Sequence, residues 1–542
     1  MGWSNRYRRL LIGVAFGLQV LMLVGPFQSQ VSIIHDEAYV LECSSRMLRG
    51  ELPYQDFATR FTPATNWLLN IVFSTVGESV VAMRLYFVTM AALLAATIQW
   101  FSFRLLPRGW SELPTLLFLC LGVQAWPIVS FHWDASIFTL LALGVLADRW
   151  RMTSSNDVRR LLLSGFLCGL AVLFLQTKGL ATCLGAGLLL LLEPLPGVRR
   201  ARNVGFLIAG ATLPGVVFLL WLSLNGILEH FFARAIKFNT SRYLILHRSY
   251  LDLSPIWTEF SVLAQGWSSF GQPTLATWWS WCWRATAFTG VDLIKFAGYY
   301  PLLALATMLA AWRRVRARSF EVSDAAFLGV LLALLFASLF DFGRPNRYRL
   351  HFQAPLWNGV LSYSLYSLYR WRRWLGASLT GLIAATYLLN GLDNLLSWKA
   401  YRYPVDFPRG RLYFNDPRLA SYLNQLSQSL SALAPPGSRV YGFPVQNLLV
   451  WLQGYSNPTI YLETVPVLYS PEEFVNARRQ IEEGKVEWLL YSPLDPGLNG
   501  DYPNVPPQEF ARDQEWARQL LTEGFTPSLQ SGPMILYKRK EP

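Results

Sequence analysis

Charge is what this chain is short of. Only 15% of its 542 residues are charged while 53% are hydrophobic, against roughly a quarter charged in a soluble globular chain. A soluble fold has no use for that much apolar surface. The five cysteines form no CxxC pair and show no metal-type spacing, which excludes a disulfide scaffold and a zinc module. There is no HExxH or HxxxH pattern, so a zinc hydrolase is excluded as well. Internal repeats and low-complexity tracts are absent, and lysine is scarce, with seven against forty arginines. What the chain has instead is 22 Trp, 24 Tyr, 34 Phe and a mean hydropathy of +0.27. Over such a length this indicates a polytopic membrane protein rather than a disordered, coiled-coil or collagenous chain. The net charge of +13 would suggest a nucleic-acid partner unless its location gives it another meaning.

Crossing about 30 Å of hydrocarbon takes about 20 apolar residues. Eleven runs qualify, near 10–27, 80–103, 113–131, 135–148, 161–176, 179–195, 204–224, 290–312, 324–340, 352–369 and 375–397. Arg6, Arg8 and Arg9 before the first run resemble a signal-peptide start, but Gly25-Pro26-Phe27-Gln28 offers no small-x-small cleavage site, so the run reads as a retained anchor. Alternate connections carry Arg104 and Arg108; Arg149, Arg151, Arg159 and Arg160; Arg199, Arg200 and Arg202; Arg313, Arg314, Arg316 and Arg318; and Arg370, Arg372 and Arg373. With the N-terminal three, nineteen arginines fall on one side. By the positive-inside rule the N-terminus is cytoplasmic, and 28–79, 131–134, 225–289, 341–351 and everything after 398 lie on the outer face of the plasma membrane. The basic excess then sets orientation and contacts anionic lipid, and no longer argues for nucleic acid.

After Trp398 the composition changes. Apolar strand-like segments at Arg439–Phe443, Val486–Ser492 and Met534–Lys538 alternate with helix starts at Asp416-Pro417 and Ser470-Pro471-Glu472-Glu473. The expected architecture is a helical membrane domain over 1–397 and a small extracytoplasmic α/β domain over 398–542.

The first 35 residues contain no acidic side chain; then Asp36 and Glu37 stand together just past the first span. An adjacent pair at the mouth of a membrane bundle suits a general base or a metal ligand, solvated loop carboxylates being the plain alternative. Asp56, in the turn segment Gly50–Phe57, joins the substrate-binding candidates, although alone it reads as structural. All five histidines fall on the outer side, and His132 is singled out because Phe131-His132-Trp133-Asp134 reads as a very short outer hairpin holding a second carboxylate. Lys178 lies between two apolar runs on the outer side, against the topological trend. It calls for an anionic ligand, or else snorkels to lipid phosphate. The stretch from Asp341 to His351 puts Arg344, Arg347 and Arg349 on the wrong side for topology, where guanidinium forks match phosphate oxygens; annular lipid is the alternative. Six tryptophans within 225–289 read as an interfacial belt, or as the floor of a groove for an isoprenoid tail or sugar. Asp292 and Lys295 have the spacing of a neutralised helical pair.

In these residues the chain resembles the membrane-embedded GT-C glycosyltransferases, which include protein mannosyltransferases, aminoarabinose transferases and RgtA/B/C/D-like enzymes. The matching features are HDEAY after the first span, GELPYQDF, TPATNWLLNIVFSTVGES leading to Arg84, HWDASIFTLLALGVLADRW, and GFLCGLAVLFLQTKG ending in a lysine. The likeness is good over roughly 10–220 and one of layout beyond. It implies inverting transfer of a sugar from a polyprenyl-phosphate-type lipid to a hydroxyl on a lipid, glycan or protein acceptor at the outer face. Asp36 would be the base or orienting carboxylate, Glu37 its neighbour and Asp134 the second acidic residue. Lys178, Arg344, Arg347 and Arg349 would hold the lipid phosphate, with Asp56, His132 and His351 beside the substrate. The resemblance leaves open whether a divalent cation, Mg or Mn, bridges Asp36 and Asp134 to the phosphate. A transporter or flippase of lipid-linked sugars is the rival reading, and it predicts charges deep within the helices.

Overall fold

The structure, a computed structural model, describes residues 5–25, 27, 35–125, 127–149, 158–193, 195–237, 322–340, 352–443, 446–462, 471–492, 515 and 518–540. The membrane part is built from α1 (Asn5–Val24), α2 (His35–Leu48), α3 (Ala64–Val76), α4 (Val80–Leu105), α5 (Leu113–Leu121), α6 (Phe131–Asp148), α7 (Val158–Phe174), α8 (Gln176–Leu191), α9 (Gly197–Leu224), α10 (Leu228–Phe231), α11 (Val322–Phe340), α12 (Ala354–Trp371) and α13 (Arg373–Ser397). Among the described residues five helices are long and apolar enough to cross a membrane: α1, α4, α6, α9 and the first twenty residues of α13. The chain is a multi-pass membrane protein. Large apolar side chains such as Leu213, Val217 and Leu220 of α9 stand exposed, as lipid-facing positions do.

Ten of the eleven apolar runs correspond to helices; 290–312 lies outside the described residues, as do the tryptophan-rich stretch and the pair Asp292 and Lys295. Two expectations are corrected. The run 113–131 is not one span: α5 stops after nine residues at Gly122, and a 3-10 turn at Val123–Ala125 follows. The sequence 131–134 is not a hairpin but the first turn of α6, whose N-cap hydroxyl, Ser130, accepts from the His132 N–H. The polar first turn of a buried helix imitates a connection, because capping residues and loop residues are the same types.

In the bundle, α7 meets α9 through glycine. A Cβ on Gly165 would lie 2.0 Å from the Leu207 carbonyl, and one on Gly210 2.1 Å from that of Leu162. Backbones approach this closely only where small residues line the contact. At one end of the bundle Arg104 pairs with Asp148, and Arg149 pairs with Glu193 at 2.7 Å, so arginines on the arginine-rich connections are in part neutralised.

Beyond α13 the chain forms an antiparallel hairpin, β1 (Tyr403–Phe407) with β2 (Gly410–Phe414), then α14 (Pro417–Leu433), α15 (Asn447–Leu452) and α16 (Pro471–Gln480) around a four-stranded sheet. Its strands are β3 (Val440–Phe443), β4 (Trp488–Tyr491), β5 (Phe525–Ser531) and β6 (Met534–Arg539), in the order β3-β4-β6-β5 with only β3 and β4 parallel. Asp416 caps α14 through the Arg418 N–H at 2.8 Å, with Pro417 at the first position. This unit rests on the segment after α1: the Ala58 N–H donates to Ile460 O at 2.7 Å, and the Val80 N–H, opening α4, donates to Arg409 O at 2.9 Å. One hydrophobic core runs without a break from Leu69, Phe73 and Val80 to Val405, Phe414 and Trp451.

Candidate active site

The site is at the end of the bundle on which the α/β unit rests. The carboxylate pair opens α2, and the two residues part company there. Glu37 is 2% exposed. Its Oε1 accepts from Arg84 Nη1 of α4 at 2.9 Å and from the Val129 N–H at 3.0 Å, and the same Arg84 nitrogen reaches Pro127 O at 3.2 Å. Glu37 thus ties α2 to α4 and to the segment before α6, and its charge is spent on a buried partner. Asp36 is the second residue of α2; its side chain, like that of His35, lies outside the described residues.

Asp134 is also buried, in the first turn of α6, where the positive end of the helix favours a carboxylate. Its Oδ2 accepts from Thr65 Oγ1 of α3 at 2.8 Å and from Tyr86 Oη of α4 at 2.6 Å. Beside it a narrow crevice is lined by Phe87, Met90, Val123, Ser130 and Trp133. Neither hydroxyl was singled out from the sequence, since a Thr and a Tyr inside apolar stretches carry no pattern of their own.

Lys178, in the first turn of α8, is 2% exposed. Its Nζ donates to Ser136 Oγ at 2.6 Å, Phe352 O at 2.9 Å and His132 O at 3.2 Å. An ammonium has three protons, and these three acceptors join α6, α8 and the start of α12. Snorkelling to lipid phosphate is therefore overturned, for a buried ammonium bonded to protein oxygens does not reach the headgroups. The ring of His132, half-buried, stacks on Phe352 with centroids 4.3 Å apart.

Asp56 closes a turn: its Oδ2 accepts from the Leu52 N–H at 2.7 Å and its carbonyl from Arg46 Nη2 at 2.8 Å. Arg344, Arg347, Arg349 and His351 lie outside the described residues. Arg60, which the sequence reading passed over, stands with its guanidinium 5.7 Å from the ring of Tyr39 and 5.4 Å from that of Phe61. Tyr39 lies one turn along α2 from Asp36. The signal was present, since Arg60 breaks the positive-inside trend just as Lys178 does. Among the described residues no three His, Cys, Asp or Glu side chains are grouped to hold a metal ion.

No protein-family model and no curated protein matches the chain; solved structures do. Similar ones are ArnT from Cupriavidus metallidurans bound to undecaprenyl phosphate, with a TM-score of 0.56 at 11% identity over 99% of this chain and 98% of that one, and the same protein in the apo state, with 0.53 at 12% over 98% of each. The apo oligosaccharyltransferase of Archaeoglobus fulgidus gives 0.50 at 13% over 90% of this chain and 70% of that one. With these matches extending over 90% or more of its length, the chain has a GT-C-like fold.

Proposed function

We propose that the chain is an inverting membrane glycosyltransferase that moves a sugar, hexosyl or pentosyl, from a polyprenyl-phosphate-type lipid to a hydroxyl acceptor on the outer face of the plasma membrane. The observation that carries this reading is the convergence of the Asp36-bearing turn of α2, Asp134 and Lys178 at one end of an apolar bundle, held together by α4 and α6. The undecaprenyl phosphate in the similar ArnT structure supports a donor of that class.

Attack at the anomeric carbon forms a bond from the acceptor oxygen while the bond to the phosphate oxygen breaks, and the electron pair leaves with the phosphate. Asp36 takes the acceptor proton. Asp134, fixed by two hydroxyls, holds negative potential beside the oxocarbenium-like centre, and cations stabilise the departing phosphate. Arg344, Arg347 and Arg349 are assigned that last role, and Arg60 is added to them as an outer-side arginine. Lys178 serves first to fix His132 and Phe352; contact with phosphate requires it to exchange a protein acceptor. If a divalent cation, Mg or Mn, takes part, Asp36 and Asp134 are the residues that would hold it, and it would supply charge to the departing phosphate. A transporter is disfavoured because α4 between Arg84 and Arg104, and α6 between Asp134 and Asp148, carry no charge.

The test is mass spectrometry of cell-envelope glycans and lipids in a deletion strain. One sugar is expected to be lost, to return with the wild-type chain and to stay absent with Asp36→Asn. Restoration by Asp36→Asn overturns the base assignment; unchanged glycans and lipids on deletion overturn the transferase reading.

A further inference from the structure

Helix α2 has two ends with different anchors. Glu37 at its start is fixed by Arg84 and the Val129 N–H. Nine residues on from Asp36, about 14 Å along the axis, Ser45 accepts from Trp451 Nε1 of α15 at 2.8 Å and donates to Glu78. Glu78 in turn pairs at 2.6 Å with Arg409, which sits on the turn between β1 and β2. The Arg409 guanidinium lies 4.9 Å from the centre of the Trp451 ring, while the Arg409 backbone N–H donates to Leu452 O at 3.1 Å and its backbone carbonyl receives the Val80 N–H. Arg46 of α2 donates to Thr459 O at 2.6 Å.

A helix of fourteen residues has little stability of its own, so packing dictates where it lies. The far half of α2 buries Glu42, Ser44, Ser45 and Arg46, polar groups that hold one register only if their partners are fixed. Several of those partners, Trp451, Thr459 and, through Glu78, Arg409, belong to the α/β unit. The hairpin turn is closely packed: Gly410, at φ +129°, holds a backbone conformation that side chains rarely adopt, and an added Cβ would lie 3.2 Å from Val80, so a substitution there strains the turn.

We propose that Arg409 is a positioning residue for the carboxylate-bearing start of α2, so that the C-terminal unit sets the pose of Asp36 from the opposite end of the helix. This rests on the transferase reading for its effect on turnover, but not for its effect on α2.

The experiment uses the full-length protein in nanodiscs, with amide exchange followed by mass spectrometry, undecaprenyl phosphate as the binding probe, and sugar transfer followed by appearance of that lipid. Arg409→Met is expected to speed exchange over His35–Leu48 about tenfold while β3 and β4 stay protected. It is also expected to lower kcat about tenfold with probe affinity within about twofold of wild type. Arg409→Lys, which keeps a cation for Glu78, restores most of both. Gly410→Ala, which moves the same turn by another route, gives the same loosening. Unchanged exchange over α2 in both variants overturns the proposal, and so does unchanged turnover once α2 is loosened. Loss of protection in β3 and β4 with both Arg409→Met and Gly410→Ala, unrepaired by Arg409→Lys, also overturns it. If the wild type neither binds the probe nor transfers sugar, the transferase reading fails, while the exchange over α2 still decides the coupling to Arg409.

Discussion

Glu37 and Lys178 show how a charge at the end of a membrane bundle comes to be held by the protein's own groups. Removing Glu37 leaves Arg84 buried without its carboxylate. Glu37→Ala should therefore cost about 3–5 kcal/mol of stability, seen as a lower thermal unfolding temperature in detergent, and Arg84→Met in the same chain should recover more than half. Independent losses that simply add would show that the pair does not act as a unit. Both residues were legible as anomalies, an acid at the mouth of a bundle and an ammonium between apolar runs. Their partners were not. Val129 and Phe352 offer backbone groups, and Thr65 and Tyr86 offer hydroxyls spaced 69 and 48 residues from Asp134, so only the folded chain brings them together.

At the scale of elements, the apolar runs were readable because length and hydropathy fix a span almost without tertiary information. Helices α2 and α3 left a weaker trace, since a helix lying between bundle and α/β unit has no single apolar face. The strands β3, β4 and β6 were visible as apolar segments, whereas β1 and β2, with prolines and arginines among them, were not. The glycine contact of α7 with α9 gives a sharp prediction. Gly165→Leu drives a side chain into the Leu207 backbone, and overpacking of this kind costs about 1–3 kcal/mol or more. Faster amide exchange in α9 with α1 and α4 unchanged is the expected signature, and uniform exchange across the bundle would contradict it.

Over the whole molecule, the membrane bundle shares one core with the hairpin, α14 and α15 of the C-terminal unit, while the four-stranded sheet adds clusters of its own, so the two units are joined through that common core. Trp451, fully buried, stacks on Phe73 of α3 with centroids 6.2 Å apart. Trp451→Ala should cost about 3–5 kcal/mol and lower the unfolding temperature of the bundle together with that of the sheet; two separate transitions would refute the shared core. The joint also has a pH dependence. Burial pushes the Glu42 carboxyl above its ordinary 4.5, against the pull of Arg46, Arg49 and Arg409 and with a small push from Glu51. A group whose pKa is raised on folding adds stability at low pH and loses it as pH climbs through the raised value. The unfolding temperature of Glu42→Gln relative to wild type should therefore rise as pH is taken from acid to neutral, and a flat difference would remove Glu42 from the joint. Arg84 and Tyr86 have a further consequence for traffic. Two residues apart on one helix, they face directions about 200° apart, one gripping Glu37 and the other Asp134, so α4 is a rigid strut whose width fixes the gap between the two acids. That wall does not part without breaking a buried ion pair, so under the proposed transferase reading a lipid-borne donor would enter, and its spent carrier leave, through another side of the rim.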